Sequence, residues 1–235
     1  MGFTFPRSTC EPRQKHPPEQ PFSFWTNIAS IMMLCVYFVM IIWRTISQNY
    51  DNKKVSANIV LAITFSTFIA FQAWHAFSHY KSFEKAPLVQ PYGSHFWTYA
   101  IAISSFVLLS KLTRYPPFTD MFYGYLTIVI AVFVDVFFVF GSGPSIAMVF
   151  SGLGVLAAIF LAFYSYMPKE VKPVFFAALF FFGLVLLFEI NEIFFCENMQ
   201  SYRSWPYHIL LESAGLVAFT FLAYTLYKWT FLAFF

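Results

Sequence analysis

Seven apolar segments of about 20 residues each, separated by short polar or helix-breaking stretches, make up most of the chain. The ~30 Å hydrocarbon core of a bilayer needs about 20 helical residues at a rise of 1.5 Å per residue. The pattern predicts transmembrane helices at approximately 24–46, 57–80, 94–112, 120–141, 144–165, 173–194 and 206–231. The fourth and fifth segments are separated only by a Gly-Ser-Gly-Pro turn, so six spans remain an alternative. We therefore expect an all-α polytopic membrane protein, with one seven-helix bundle over residues 24–235 and an N-terminal segment over residues 1–23.

The composition excludes a soluble domain. Hydrophobic residues make up 59% of the chain and charged residues only 11%, whereas a soluble domain carries about 25% charged residues. The net charge of +3 is small and scattered, so we expect no nucleic-acid partner.

An odd number of spans would place the two termini on opposite sides of the membrane. The predicted spans leave six of the 14 Lys and Arg residues on the N-terminal side and eight on the other. Because cytoplasmic loops carry the excess of basic residues, we expect a non-cytoplasmic N-terminus and a cytoplasmic C-terminus. Cys10 and Cys196 fall on the N-terminal side, and a disulfide between them would need an oxidising compartment. A bridge and two free thiols are both open at this point.

Eight histidine, aspartate and glutamate side chains lie within the predicted helices beyond their first residue, where each one costs a few kcal/mol unless it faces a cavity or a partner. Even-numbered helices run toward the N-terminal side and carry them in their later halves, while helices three and seven carry them in their first turns. All eight therefore fall in the leaflet on the N-terminal side. They are His75, His79, His95, Asp135, Glu189, Glu192, His208 and Glu212.

Spacing adds a second constraint to these residues. His75 and His79 are four residues apart, as are His208 and Glu212, so the members of each pair share a helix face. If the two pairs faced each other, three imidazoles and a carboxylate would meet, which is a ligand set that suits Zn²⁺. Three protein ligands and a water make such a site catalytic, because zinc activates its water as a nucleophile and polarises a carbonyl.

Other ionisable residues are candidates for catalysis beside the metal. His95 and Asp135 could orient a ligand or move a proton. The alternative is that such residues are hydrogen-bonded contacts between helices, and for His95 and Asp135 this interpretation weighs more than for the proposed ligands.

Three patches of sequence resemble the alkaline ceramidases. Phe188-Glu-Ile-Asn-Glu-Ile-Phe-Phe-Cys196, followed by Ser204-Trp-Pro-Tyr-His-Ile-Leu-Leu-Glu212, is similar to the end of their helix six and the start of their helix seven. Cys10-Glu11-Pro12, followed by Phe24-Trp25-Thr26-Asn27, resembles their N-terminal segment, and Ala73-Trp-His75 lies where they have a helix-two histidine. The chain is identified on this basis as a divergent member of the CREST superfamily, which also contains the progestin/adipoQ receptors.

The resemblance implies a seven-helix membrane hydrolase that cleaves an amide or ester of a lipid. It implies zinc bound by one histidine of helix two and two of helix seven, beside a helix-two serine and a helix-three aspartate. His75 and His208 match two of the family's ligands, and Cys10 with Cys196 would match a family disulfide. The remaining ligand position holds Ser204, and the serine position holds Phe71.

Three further residues bear on these departures. His95 is the nearest counterpart of the helix-three aspartate. His79 and Glu212 each restore a potential ligand on a helix that has lost a family residue.

Two hypotheses follow from these observations. The first is a zinc-dependent intramembrane hydrolase of a membrane lipid amide or ester, ceramidase-like, with His75, His208 and Glu212 as the main metal ligands and His79 as a fourth ligand or a base. The second is a non-catalytic receptor, or a lipid-binding or scaffold protein, that keeps a structural metal site. A closed site with four protein ligands and no water would favour the second hypothesis. A transporter that uses the same groups as a relay is disfavoured, because the titratable residues occupy one leaflet rather than crossing the membrane.

Overall fold

The computed structural model describes residues 15–47, 52–81, 89–142, 146–195 and 207–234. Within these ranges the chain is all-α, with seven α-helices, a single 3₁₀ turn and no β-strand. The helices are α1 (Pro21–Ser47), α2 (Asn52–Tyr80), α3 (Val89–Leu112), α4 (Phe122–Ser142), α5 (Ile146–Ala162), α6 (Lys172–Phe195) and α7 (Tyr207–Phe234).

Each predicted segment corresponds to one helix, so the prediction of seven helices is confirmed. The largest differences are at the starts of α2 and α3, each of which begins five residues before its predicted start, while α5 ends at Ala162 and is followed by a 3₁₀ turn over Tyr164–Tyr166 instead of continuing to residue 165. Five helices, α1, α2, α4, α6 and α7, are long and apolar enough to cross a membrane. The 17-residue α5 is about 26 Å long at 1.5 Å per residue, and α3 carries several buried serines. Apolar helices therefore indicate an integral membrane protein, while membrane crossing by α3 and α5 stays a prediction.

The outer surface of the bundle is apolar. Phe140, Tyr123 and Trp43 are 85%, 81% and 71% exposed, which suits contact with lipid chains rather than with water. The interior is filled by large side chains such as Trp229, Phe65 and Phe68, which are almost wholly buried. Both sides of the helices are therefore apolar, as expected where the surrounding solvent is hydrocarbon.

Contacts at the two ends of α1 fix its direction relative to α2 and α7. The backbone N–H groups of Glu19 and Gln20 donate to the carbonyl oxygens of Tyr80 and His79, at 3.2 and 3.0 Å, so the start of α1 lies against the end of α2. At the opposite end of the bundle, the Arg44 guanidinium donates to the Tyr227 hydroxyl at 3.1 Å and lies over the Phe231 ring. Helices α1 and α7 therefore run parallel to each other and antiparallel to α2.

Several predictions concern features that the structure does not describe. Cys10 and Cys196 both lie outside the described residues, so the disulfide stays a prediction, whereas Cys35 is a free cysteine on the exposed face of α1. Most of the N-terminal segment over residues 1–23 also lies outside them. The orientation of the termini across the membrane stays a prediction as well.

Close packing of α2 against α3 depends on a glycine. A Cβ atom at Gly93 would stand 2.2 Å from the indole ring of Trp74, whereas a Cβ at Gly154 meets nothing within 4 Å. Gly to Ala in an open helical position stabilises by about 1 kcal/mol, while forced overpacking costs about 1–3 kcal/mol. We expect Gly93→Ala to lower the melting temperature in detergent and Gly154→Ala to leave it unchanged or raise it. Equal melting temperatures for the two variants would contradict this packing.

Candidate metal centre

Three imidazole rings converge on one carboxylate oxygen at the end of the bundle where α1 and α7 begin. His75 Nε2 lies 2.9 Å from Glu212 Oε1, and His79 Nε2 lies 3.1 Å from the same oxygen. His208 Nε2 lies 3.7 Å from it. The structure thus brings together all four residues for which the sequence predicts a metal-ligating role.

Helical spacing and the direction of the helices produce this convergence. His75 and His79 are one turn apart on α2, with ring centroids 4.8 Å apart, and His208 and Glu212 are one turn apart on α7. The rings of His79 on α2 and His208 on α7 are in edge-to-face contact, with centroids 5.2 Å apart. Side-chain exposure is 4% for His79, 8% for His208 and 7% for Glu212, but 25% for His75. His79, His208 and Glu212 are therefore buried, and the group is most accessible to solvent or lipid at His75.

Three members of the group, His79, His208 and Glu212, each form a hydrogen bond to a residue outside the group. Gln20 Oε1 lies 2.8 Å from His79 Nδ1, and Glu192 Oε2 lies 2.9 Å from His208 Nδ1. Asn27 Nδ2 donates to Glu212 Oε2 at 2.9 Å and to the Ser23 carbonyl at 2.8 Å.

Sequence reasoning singled out Glu192 as ionisable but missed Gln20 and Asn27 as members of the site. Asn27 belongs to a row of buried polar residues on α1, with Ser23 and Ser30 on the same face. This polar stripe in an apolar helix is the signal that could have found it. Gln20 precedes the helix and carried no comparable signal.

The donor set fits a cation at the point of convergence. Because Gln20 Oε1 and the Glu192 carboxylate are acceptors, the facing Nδ1 atoms of His79 and His208 donate, and a neutral ring then has a lone pair at Nε2. A lone pair that faces a carboxylate oxygen at 3.1 Å is repelled unless a cation or a second proton lies there. His208 Nε2 is buried, has no hydrogen-bond partner and lies 3.7 Å from the same carboxylate oxygen. His75, His79 and Glu212 could hold a metal ion.

Distances within the group agree with this interpretation. The candidate ligand atoms of His75, His79 and Glu212 all lie within 4.8 Å of one another. Ligand atoms bound about 2.1 Å from a tetrahedral ion stand about 3.4 Å apart. The three Nε2 to Oε1 distances, from 2.9 to 3.7 Å, bracket that spacing.

His95 and Asp135, the two predicted catalytic residues, belong to a second buried polar group formed by α3, α4 and α5. His95 Nε2 lies 3.0 Å from each oxygen of Asp135, and the Tyr99 hydroxyl donates to Asp135 Oδ2 at 2.6 Å. The Ser151 hydroxyl donates to Asp135 Oδ1. The side-chain hydrogen bonds of Asp135 thus go to His95, Tyr99 and Ser151 and to no member of the metal-ligating group. The structure brings His95 and Asp135 together, and their catalytic role stays a prediction.

The structure describes Phe71, one of the two positions that break the predicted resemblance to the ceramidases, but not Ser204. The Phe71 ring, at the place of the family's serine, is buried and stacks on the His75 imidazole with centroids 6.0 Å apart. Glu189, one turn before Glu192, is half-buried, and Ser204 lies outside the described residues. Phe71 gives the His75 side of the group an apolar wall in place of a hydroxyl.

Asp135 is only 2% exposed and accepts hydrogen bonds from three side chains, two on α3 and one on α5. Removing one partner from a buried charged network typically costs about 3–5 kcal/mol, because the remaining groups are left unpaired. We expect Asp135→Ala to lower the melting temperature strongly, while Asp120→Ala, at an exposed aspartate, leaves it nearly unchanged. Thermal unfolding in detergent measures both. An Asp135→Ala protein as stable as Asp120→Ala would show that this group does not hold the helices together.

Comparisons with known proteins add no relative. No protein-family model, no curated protein and no solved structure matches the chain. The resemblance to the alkaline ceramidases therefore stays a prediction from short patches of sequence, and the geometry of the histidine–glutamate group provides the main support for a function.

Proposed function

We propose that the protein is a zinc-dependent intramembrane hydrolase that cleaves an amide or ester bond of a membrane lipid. The observation that carries this proposal is the convergence of three imidazole nitrogens on Glu212 Oε1. Imidazole and carboxylate are the ligands of catalytic zinc sites. The ceramidase-like sequence around His75 and His208 supports the same reaction class.

His75, His79 and Glu212 would hold the metal, each through one atom. Asn27 engages Glu212 Oε2, so Oε1 is the oxygen that is left to face the two histidines. A Zn²⁺ ion held there would supply Lewis-acid chemistry, lowering the pKa of a water and polarising a carbonyl oxygen. His79, His208 and Glu212 are buried, so these three residues keep bulk water out of the site.

The position of the site suits a lipid substrate. It lies near one end of the bundle, where the helices approach the headgroup region of a bilayer. His75 is the most exposed of the four residues, and the buried Phe71 ring stacked on it makes that side of the group apolar. A substrate would thus approach from the His75 side with its acyl chain against aromatic side chains. His95 and Asp135 are assigned no step here, since their own hydrogen bonds lie within the second polar group.

The second candidate function is a non-catalytic receptor or scaffold with a structural metal. It is favoured by one observation, the unpartnered Nε2 of His208 at 3.7 Å from Glu212 Oε1. If that nitrogen also binds the metal, four protein ligands surround the ion and no position is left for water. The two functions therefore differ in whether His208 is a ligand.

Metal content provides the first test. We expect purified wild-type protein to contain about one zinc per chain and His79→Ala to lose it, because His79 is buried and lies in the centre of the group. His16→Ala, at an exposed histidine, serves as the matched control and should retain the metal. Elemental mass spectrometry of protein purified without chelators measures all three. A wild type without stoichiometric metal, or a His79→Ala protein that keeps it, would overturn the site.

Hydrolysis provides the second test. We expect wild-type protein in lipid vesicles to release fatty acid from a ceramide or a related lipid amide or ester. A chelator should abolish the release and added Zn²⁺ should restore it. His79→Ala should lower the rate by at least about 100-fold, since losing a metal ligand exceeds the effect of losing its outer-shell support. A metal-loaded protein that cleaves none of these lipids would favour the structural-metal function.

The role of His208 separates the two candidates in one spectrum. Replacement of zinc by Co²⁺ gives an absorption spectrum that reports the number and type of ligands. With His208 outside the coordination sphere, His208→Ala should leave the cobalt spectrum of a three-ligand site largely unchanged. A large change in the spectrum, together with absent hydrolysis, would instead indicate a closed structural site.

A further inference from the structure

We propose that Gln20, Asn27 and Glu192 are positioning residues that fix the ring orientation and the metal-facing atoms of the site. This inference rests on the proposed metal site and extends it to residues that do not themselves contact the ion. Each of the three makes a direct hydrogen bond to a different member of the group, namely to His79, Glu212 and His208 respectively.

Gln20 holds His79 by two contacts. Its backbone N–H donates to the carbonyl oxygen of His79 at 3.0 Å, and its side-chain Oε1 accepts from the Nδ1 of the same residue at 2.8 Å. Gln20 is 4% exposed and immediately precedes α1. The entry into α1 is thereby joined to the last turns of α2, and the imidazole ring is oriented with Nε2 toward Glu212.

Glu192 has the same relation to His208 from the end of α6. Its Oε2 lies 2.9 Å from His208 Nδ1, and both side chains are more than nine-tenths buried. A carboxylate behind an imidazole places the ring proton on Nδ1 and makes the opposite nitrogen a better electron-pair donor. The Nε2 of His208 is the atom that then faces the group.

Asn27 acts on the carboxylate. Its amide donates one hydrogen to the Ser23 carbonyl and the other to Glu212 Oε2, at 2.8 and 2.9 Å. The first bond fixes the amide on the α1 face, and the second determines which oxygen of Glu212 points away from the histidines. Glu212 therefore offers one atom, Oε1, to a metal ion.

His75 lacks such support. Its Nδ1 is buried and has no hydrogen-bond partner, and its side chain is the most exposed of the four. The two oriented rings, His79 and His208, form the rigid part of the site, and His75 is the ligand with the greatest freedom.

Zinc affinity of matched variants tests the proposal. Competition with a chromophoric chelator in detergent would measure the dissociation constant of wild type, Gln20→Leu and Asn27→Leu, whose native side chains bond to the ligands His79 and Glu212. Loss of an outer-shell partner typically weakens metal affinity by about 10–100-fold, and we expect both variants to fall in this range. Gln20→Glu keeps an acceptor oxygen and should bind zinc nearly as tightly as wild type.

Gln72→Leu is the matched control, because Gln72 is also a buried glutamine, on α2 three residues before His75, and forms no hydrogen bond with any of the four residues. Unchanged affinity of Gln72→Leu together with the rescue by Gln20→Glu would separate positioning from a general loss of packing. Leucine variants that bind zinc as tightly as wild type would overturn the inference while leaving the metal site in place. A wild type that binds no zinc would instead overturn the proposed function itself.

A measurement on wild-type protein covers the case in which the leucine variants do not fold. The chain has five histidines, so ¹⁵N-histidine spectra of the zinc-loaded protein can be assigned by single substitutions. We expect a proton on Nδ1 in both His79 and His208. An unprotonated Nδ1 in either ring would contradict the assigned orientation.

Discussion

The arrangement at this end of the bundle depends on one buried carboxylate, that of Glu212. An ionised side chain inside an apolar bundle is costly unless hydrogen-bond donors or cations compensate for the lost water. Here α1 contributes the Asn27 amide and α2 contributes two imidazoles. Helices α1, α2 and α7 must therefore be aligned so that Asn27, the two histidines and Glu212 lie at the same depth in the bundle. The same contacts bring the candidate metal ligands together.

Two buried polar groups divide the bundle between them. The group around Glu212 joins α1, α2, α6 and α7, and the group around Asp135 joins α3, α4 and α5. Asp135 already accepts bonds from three neighbouring side chains, whereas His208 and His75 in the first group each keep a buried nitrogen without a partner. The first group thus still has ring nitrogens that can bind a ligand. In the second group, the Asp135 carboxylate is already hydrogen-bonded to three side chains.

Much of this arrangement was predictable from spacing and direction. The apolar segments predicted the seven helices to within a few residues at most ends. The reason is that the length of a transmembrane helix is set by the thickness of the hydrocarbon core. The pairs His75 with His79 and His208 with Glu212 were predictable as a candidate site, since four-residue spacing places side chains on one face and alternate helices run in opposite directions. Membrane crossing by α3 and α5 was less well determined, because α3 is interrupted by serines and α5 is short.

The sequence by itself determined which side chains are too polar for the apolar interior and toward which end of the bundle each one lies. Only the tertiary structure decided which of them meet. His95 and Asp135 were expected at the same end of the bundle as the candidate ligands, but they lie on α3 and α4, which both pack on α5, and Asp135 bonds to His95, Tyr99 and Ser151 instead. Gln20 reaches His79 across 59 residues of chain, and no periodicity connects two such distant positions. Helix periodicity fixes the face on which a residue lies, whereas the partner on the other side of that face depends on how the helices pack.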